Sequence, residues 1–198
     1  MPPQPSPNAR PLTAGEIALA RGVFGNAIDY ATVTVTPDKF MGFHPEGTAM
    51  APDGNLYMHG CYQPDYSALP VYEQSVFIHE MTHVWQFQNK ILQPVAEAVK
   101  LNLKLKFDYA AAYPYTLDAK KDLLEYNMEQ QASIVEDYFT MKAYGFSTGF
   151  ERCRNILGDN DKIDLYEKVL ANFIKDPGYG RNSHFPLFPG KKPKPPAA

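Results

Sequence analysis

Apolar residues recur three or four positions apart through most of the chain after residue 71, and this spacing predicts helices. Four are predicted, over residues 72–89, 94–107, 118–144 and 163–175. Pro94 suits the first turn of the second helix, and Gly145 ends the third. The larger, C-terminal part of the chain is therefore predicted to be mainly helical.

The N-terminal part follows a different pattern. Thr13–Glu16 is a capping-box sequence, which predicts a short helix that Gly22 and Gly25 close. Residues 30–36 alternate and are rich in β-branched side chains, so they predict a strand, and a second strand is predicted at 56–59 after a turn. Together these elements predict an α+β fold with a small N-terminal antiparallel or mixed sheet packed on several helices.

Proline marks both ends of the chain. Residues 1–11 form a proline-rich segment that is predicted to be a flexible tether, and residues 189–198 form a Pro/Lys-rich tail. The length of 198 residues and a hydrophobic content of 44% suit one compact domain over residues 12–188.

Charge and hydropathy exclude several classes of protein. The net charge is −3 and basic residues form no long run, so nucleic acid is not expected as a partner. A membrane span is not expected either, because no sufficiently long apolar stretch is present. The N-terminus does not resemble a signal peptide, so the protein is expected to stay in the cytoplasm or to leave by a route without a cleaved leader. Cys61 and Cys153 are expected to be two separate thiols, because proximity cannot be inferred from sequence.

The segment His79–His83 reads His-Glu-Met-Thr-His and matches the pattern H-E-x-x-H. Residues four apart lie on the same face of a helix, so both imidazoles can bind one Zn²⁺. Glu80 lies beside the metal without binding it and can act as general base. The alternative is a pair of half-buried histidines on an amphipathic helix, but the apolar neighbours make such burial costly without a metal. The motif therefore predicts a catalytic zinc site on a central helix.

A catalytic zinc needs a third protein ligand and one open position. The metzincin pattern would require Gly at position 86 and His at position 89, but the chain has Gln86 and Asn89. The ligand is therefore expected from another segment, most plausibly a carboxylate on the helix predicted at 118–144. Its candidates are Glu125, Glu129, Glu136 and Asp137.

Glu129 is favoured because it lies in the middle of that predicted helix, where a side chain is best fixed, and because Ala132 leaves room one turn later for a neighbouring helix. Glu125, Glu136 and a distant histidine stay open as alternatives. Glu136 or Asp137 could instead orient a ligand histidine. An ordinary solvent-exposed acidic face is the alternative for the whole stretch.

Three further histidines stand alone in the sequence, at His44, His59 and His184. Lone histidines are expected to be structural. His59 is the exception to watch, because its predicted strand precedes the metal helix and could line a substrate cleft. A peptidase also needs a donor that stabilises the oxyanion of the transition state, and the sequence leaves this open between tyrosine and histidine.

Several segments of the chain resemble one known family. His79–Gln86 and Asn127–Ala132, taken together, are similar to the metallopeptidase effector domains associated with type VI secretion. Those domains occur as C-terminal extensions of VgrG spike proteins or as separate Vgr-related proteins. Arg10–Glu16 and Phe24–Tyr30 also resemble the start of that family, so the resemblance covers residues 10–145.

The resemblance carries expectations that spacing alone does not. It implies a zincin fold of the gluzincin type, with Glu129 as the third zinc ligand. It also implies an antibacterial toxin that accompanies a secretion spike, is injected into the periplasm of a target cell and is neutralised there by an immunity protein. The last 50 residues have no counterpart in it, so their role stays open.

The leading hypothesis is a zinc endopeptidase acting on a protein or peptide substrate. A zinc amidase that cuts peptidoglycan cross-links is an alternative, because both reactions hydrolyse amides. A second alternative is a spike-associated adaptor module that has kept a metal site without turnover. Glu80 argues against the adaptor, since a metal site without catalysis needs no base at that position.

Overall fold

A small sheet lies in the N-terminal part of the chain and helices make up most of the rest. A computed structural model describes residues 6–40, 44–92, 97–98, 109–145 and 152–181. Within them the strands are β1 (Arg10–Pro11), β2 (Thr34–Thr36), β3 (Thr48–Met50) and β4 (Leu56–His59). The main helices are α1 (Ala14–Phe24), α2 (Val71–Gln88), α3 (Met128–Tyr144), α4 (Asp159–Val169) and α5 (Ala171–Lys175). The predicted α+β class is confirmed.

The sheet is mixed and has the strand order β1-β2-β4-β3. β2 and β4 run parallel, whereas β1 pairs antiparallel with β2 and β3 antiparallel with β4. β4 coincides with the strand predicted at 56–59. β3 lies at the edge, and within the described sheet one side of its backbone is left without a strand partner.

The capping box predicted at the start of α1 is present. Thr13 Oγ1 accepts from the backbone N–H of Glu16, and Glu16 Oε2 accepts from the N–H of Thr13. The same carboxylate pairs with Arg10 through both oxygens at 2.8 Å. Arg10 belongs to β1, so the end of the segment predicted as a flexible tether is part of the sheet. Gly22 lies inside α1, and Gly25 alone follows its end.

The strand predicted at 30–36 is shorter than expected. Its first half forms a 3-10 turn over Tyr30–Thr32, because the side chain of Asp29 caps this turn at the N–H of Ala31. Only Thr34–Thr36 pairs in the sheet. A local side-chain bond to the backbone thus overrides the β-branched pattern.

Two predicted helices also have different bounds. α3 begins at Met128, ten residues later than predicted, because Asp122 caps a separate 3-10 turn over Leu123–Glu125 and Asn127 then caps α3 itself. The helix predicted at 163–175 begins at Asp159 and divides at Leu170 into α4 and α5. The helix predicted at 94–107 lies outside the described residues, except for 97–98.

α2 lies at the centre of the fold and contacts α1, α3 and the sheet. Residues on nearly all of its faces are buried, including Phe77, Ile78 and Trp85. Trp85 packs edge-on against Phe173 of α5, and its indole N–H donates to the carbonyl of Pro177 at 2.7 Å. The C-terminal segment therefore covers α2. Polar side chains on such a buried helix need partners within the protein.

Cys61 and Cys153 are free thiols, as expected. Among the described residues, no helix combines the length and apolar character that crossing a membrane requires.

Candidate metal centre

Two helices bring three potential metal ligands together. His79 and His83 lie one turn apart on α2, and Glu129 lies in the first turn of the neighbouring α3, not in mid-helix as expected. Glu129 Oε2 is 3.3 Å from His79 Nε2 and 3.4 Å from His83 Nε2. All three side chains are buried, and one donor atom from each lies within 4.8 Å of the others.

These separations fit a tetrahedral zinc site. Zinc–ligand bonds of about 2.0–2.2 Å in a tetrahedron imply ligand–ligand distances of about 3.3–3.5 Å. Two imidazole nitrogens with one carboxylate oxygen are also a donor set that catalytic zinc uses while keeping a fourth position open. The three residues favoured from the sequence therefore form a group that could hold a metal ion.

His79 is oriented by a charged partner on α3. Its Nδ1 lies 2.9 Å from Glu136 Oε2. Ser75 Oγ donates to the other oxygen of Glu136 at 3.1 Å, and Arg152 Nη1 donates to Oε2 at 2.5 Å. The carboxylate favours the tautomer with its proton on Nδ1, which leaves the Nε2 lone pair facing Glu129. Glu136 thus takes the orienting position that the sequence left open.

His83 is oriented by a neutral chain of amides. Its Nδ1 donates to Gln86 Oε1 at 2.8 Å. Gln86 Nε2 donates to the carbonyl of Met128 and to Gln131 Oε1, and Gln131 Nε2 donates to the carbonyl of Tyr126. Because the chain ends on backbone carbonyls, which only accept, the direction of every bond in it is set. Nδ1 of His83 must carry the proton, and Nε2 is left to bind.

The electrostatics of the centre favour positive charge. Burial disfavours a charged imidazole at His79, but the carboxylates of Glu129 and Glu136 outweigh it and raise its pKa to about 10. Burial likewise opposes the charge on Glu129, yet His83 and His79 hold the pKa of that carboxyl well below its usual range. A divalent cation at this point would supply the positive charge that the buried carboxylates demand.

Glu80 stands apart from this network. It is buried, and within the described residues its Oε2 has no hydrogen-bond partner. Burial raises the pKa of this carboxyl, while His83 and His79 oppose the shift. A buried carboxylate oxygen without a partner is costly, so it marks a place where a further polar group is expected to bind.

A cleft of about 250 Å³ opens beside Glu80 and His79. Thr48 and Ala49 of the edge strand β3 line one side, and Tyr113 and Arg152 line another. The ring of Tyr113 lies 5.9 Å from the ring of His79, between centroids. The cleft thus gives an extended chain access to both the His-His-Glu cluster and the edge strand β3.

The remaining acidic candidates lie elsewhere. Glu125 is exposed and accepts from the backbone N–H of Asp122, so it caps a turn. Asp137 is buried on another face of α3, where its Oδ2 accepts from the hydroxyls of Tyr115 and Tyr166. Neither belongs to the three-residue cluster.

Two of the three lone histidines, His44 and His59, also lie outside the cluster. His44 is buried and bonded on both nitrogens, to the N–H of Phe40 and the carbonyl of Thr48. His59 lies on β4, and its ring is 5.7 Å from that of His44. Neither is among the residues that line the cleft, whereas β3 beside them is. His184 lies outside the described residues.

Sequence reasoning missed several residues of the centre. Gln86 had a usable signal, since it follows His83 by three positions and shares its helix face. Arg152 had none, because it comes from the C-terminal part to which no role was assigned. This C-terminal part thus contributes Arg152 to the cleft and Phe173 to the packing around α2.

These features define a class: a small α+β domain whose central helix carries an H-E-x-x-H motif in a buried His-His-Glu cluster. No family model matches the chain. It is 37% identical over 168 residues to the type VI secretion system spike protein VgrG2b of Pseudomonas aeruginosa, a match that covers 83% of the chain and 15% of that protein. The solved effector domain of VgrG2b aligns with a TM-score of 0.63 and 32% identity over 82% of each chain.

The chain belongs to the family of VgrG2b effector domains of type VI secretion. It corresponds to a small part of the whole spike protein, since it spans only 15% of that protein's length. The resemblance seen in the sequence is confirmed at the level of a VgrG-associated effector domain.

Proposed function

We propose that this domain is a zinc-dependent peptidase that acts as an antibacterial type VI secretion effector. His79, His83 and Glu129 would hold Zn²⁺, and Glu80 would be the general base. The observation that carries the proposal is the joint geometry of the site: three buried donors at zinc-like separations beside a buried carboxylate oxygen without a partner among the described residues.

Zinc bound by these residues would polarise the scissile carbonyl and lower the pKa of a water molecule to about 7. The chain's own contribution is proton transfer by Glu80. Its free oxygen can accept a proton from the attacking water, and its raised pKa favours the protonated state that then delivers the proton to the leaving amine.

The form of the cleft supports a peptide as substrate. β3 lines one wall and has no strand partner on one side within the described sheet, so a second extended chain can add hydrogen bonds beside it. A peptidoglycan amidase remains the alternative, because a stem peptide is also an amide chain. Glu80 argues against the adaptor alternative. A buried carboxylate without a catalytic role would destabilise the fold and serve no function.

Delivery is proposed from the relationship to VgrG2b. VgrG2b is a spike protein of the secretion system, so we propose a secretion spike as partner, the target-cell periplasm as destination and an immunity protein in the producing strain. A zinc site of imidazole and carboxylate contains no thiolate, and therefore tolerates an oxidising compartment.

Replacement of Glu80 tests the chemistry. Glu80→Gln is expected to keep about one zinc per chain and lose at least about 10²-fold in hydrolysis of casein, the scale of a general base. Glu73→Gln removes another cleft-lining carboxylate and serves as control. Purified sacculi, assayed beside casein, separate the peptidase from the amidase. Full activity in Glu80→Gln, or a chain that takes up no zinc, contradicts the proposal.

Expression in a bacterial host tests the destination. The domain is expected to be harmless in the cytoplasm and toxic when fused to a periplasmic leader, and Glu80→Gln should remove the toxicity. Equal growth of all three strains rules against the periplasm. Toxicity that survives the substitution favours a role without turnover.

A further inference from the structure

Two backbone hydrogen bonds to Tyr115 position Arg152 beside the cleft. The N–H of Tyr115 donates to the carbonyl of Arg152 at 3.0 Å, and the N–H of Arg154 donates back to Tyr115 at 2.8 Å. The Arg152 guanidinium lies over the ring of Tyr113, 5.1 Å from its centroid, and both side chains line the cleft. Its Nη1 is 3.4 Å from Nδ1 of His79. A fixed cation therefore stands directly beside the candidate reaction centre.

Only part of this guanidinium is used by the protein. An arginine has five N–H donors. Within the described residues, the hydrogen bonds of Arg152 all come from Nη1, which donates to Glu136 and Ser133. Nε and Nη2 make none, and 41% of the side chain is exposed. Three donors of the planar guanidinium are thus without a partner among the described residues, on a partly exposed side chain that lines the cleft.

The pair with Glu136 does not by itself explain an arginine at this position. Glu136 already accepts from Ser75 and contacts His79, so its oxygens have partners without Arg152. A lysine would neutralise it equally well but presents a point charge without a fork. The geometry and the unused donors of Arg152 are better suited to a planar group with two oxygens.

The charges around the cleft restrict what that group can be. Among the described residues lining it, the ionisable side chains near Arg152 are His79 of the candidate metal centre and the carboxylates of Glu73, Glu80 and Glu136, and Arg152 is the one permanently charged cation. Away from the candidate metal centre, the described charges along this surface would repel a substrate carboxylate at Glu73 and attract it at Arg152. An extended chain advances about 3.3 Å per residue. A group on Arg152 therefore lies within a residue or two of the bond held at the centre.

We infer that Arg152 forms a substrate subsite that binds a carboxylate one or two residues from the scissile amide, so the preferred substrate is an acidic peptide chain. The inference rests on the proposed peptide-hydrolysing function. The free Nε–H and Nη2–H donate to the two carboxylate oxygens, while Nη1 stays on Glu136. Arg152 in this role is a specificity-determining residue.

Binding without cleavage tests the subsite. Labelled octapeptides that differ only by Glu against Gln, with the acidic position moved along the chain, are titrated against the Glu80→Gln protein with and without zinc. At one or two neighbouring positions Glu should bind about tenfold more tightly than Gln, the size of a charge-assisted hydrogen-bond pair. Arg152→Gln should bring this ratio to about one, and Arg152→Lys should leave about threefold, since charge persists without the fork.

Arg154→Gln is the matched control, because it removes the same charge two residues away on an exposed side chain. It should keep the full preference. Zinc content and thermal melting of each variant show whether the fold and the metal centre are preserved. If Arg152→Gln does not fold, the Glu-to-Gln binding ratio of Arg152→Lys is the test. The inference is overturned by equal binding of Glu and Gln peptides at every position, by an unchanged ratio in Arg152→Gln, or by no peptide binding. If acidic peptides bind but the unsubstituted domain cleaves none of them, the proposed peptidase function is overturned and the subsite is not.

Discussion

The two histidines of the candidate centre present the same ring atom, Nε2, to Glu129 but are held by different chemistry. His79 lies on the cleft side, where a carboxylate, a hydroxyl and an arginine stand behind it. His83 lies on the core side, where two buried glutamines lead to backbone carbonyls. A charged partner makes the imidazole a stronger donor to metal, whereas a neutral amide chain mainly fixes its direction. The partners of His79 on the cleft side are therefore suited to adjusting metal affinity. The partners of His83 on the core side are suited to fixing the orientation of its ring.

Removal of the carboxylate that both histidines share should have the largest effect. Glu129→Ala is expected to lower zinc affinity by more than the roughly 100-fold upper limit for an outer partner, since a direct ligand is lost. Glu125→Ala, which removes an exposed capping carboxylate, should bind zinc almost normally. Competition titrations with a chelator measure both. Unchanged affinity in Glu129→Ala would move the third ligand elsewhere.

Placing charge on the core side should be the next most harmful change. Gln86→Glu removes two N–H donors, and the acceptors on Met128 and Gln131 would then face a buried carboxylate. We expect a loss of about 3 kcal/mol or more, which lowers Tm by roughly 6–12 °C in a chain of this size. Thermal melting with zinc present measures it. An unchanged Tm in Gln86→Glu would show that a carboxylate can serve as the partner of His83 as well as an amide does.

Removing charge from the cleft side should be milder. In Glu136→Gln the amide oxygen can still accept from His79, so the fold should hold and Tm should change little. Zinc affinity should fall by about tenfold, at the lower end of the range for outer partners. Glu73→Gln, a cleft carboxylate outside the cluster, is the control. Equal losses in both variants would mean that the charge acts at a distance and not through the hydrogen bond.

The smallest expected effect concerns the protonation of Asp137 on α3. Glu136 and Asp137 are adjacent and buried, yet His79 and Arg152 lower the pKa of Glu136 against the effect of burial, whereas burial raises that of Asp137 to about 7. The folded state therefore holds a proton on Asp137 that the unfolded chain, with a pKa of about 3.9, releases. Stability from this group is full below about pH 4 and is lost as the pH rises to about 7.

Asp137→Asn should accordingly flatten the pH dependence. Between about pH 6 and pH 8, Tm of the unsubstituted protein should fall by about 3–5 °C more than Tm of the variant. Melting curves across this range decide it. If Tm of the unsubstituted protein instead rises relative to the variant, Asp137 is ionised in the fold and its tyrosine partners stabilise the charge.

Local patterns predicted well wherever neighbours in sequence decide the structure. The capping box of α1, strand β4 and the bounds of α2 all follow from residues within one or two turns of each other. The errors arose where another local bond competed, as with the Asp29 cap that shortens β2. The start of α3 was misplaced for the same reason, because Asp122 and Asn127 each begin a separate element.

The sequence by itself determined the pair His79 and His83, because residues four apart on a helix must share a face whatever surrounds them. It also narrowed the third ligand to a short acidic stretch. Only the tertiary structure decided that Glu129 meets both imidazoles, that Glu136 stands behind one of them, and that Arg152, 73 residues from His79 in the chain, completes the cleft. Such contacts depend on how α2, α3 and the C-terminal segment pack, and this is set by the burial of the whole core and not by any local period.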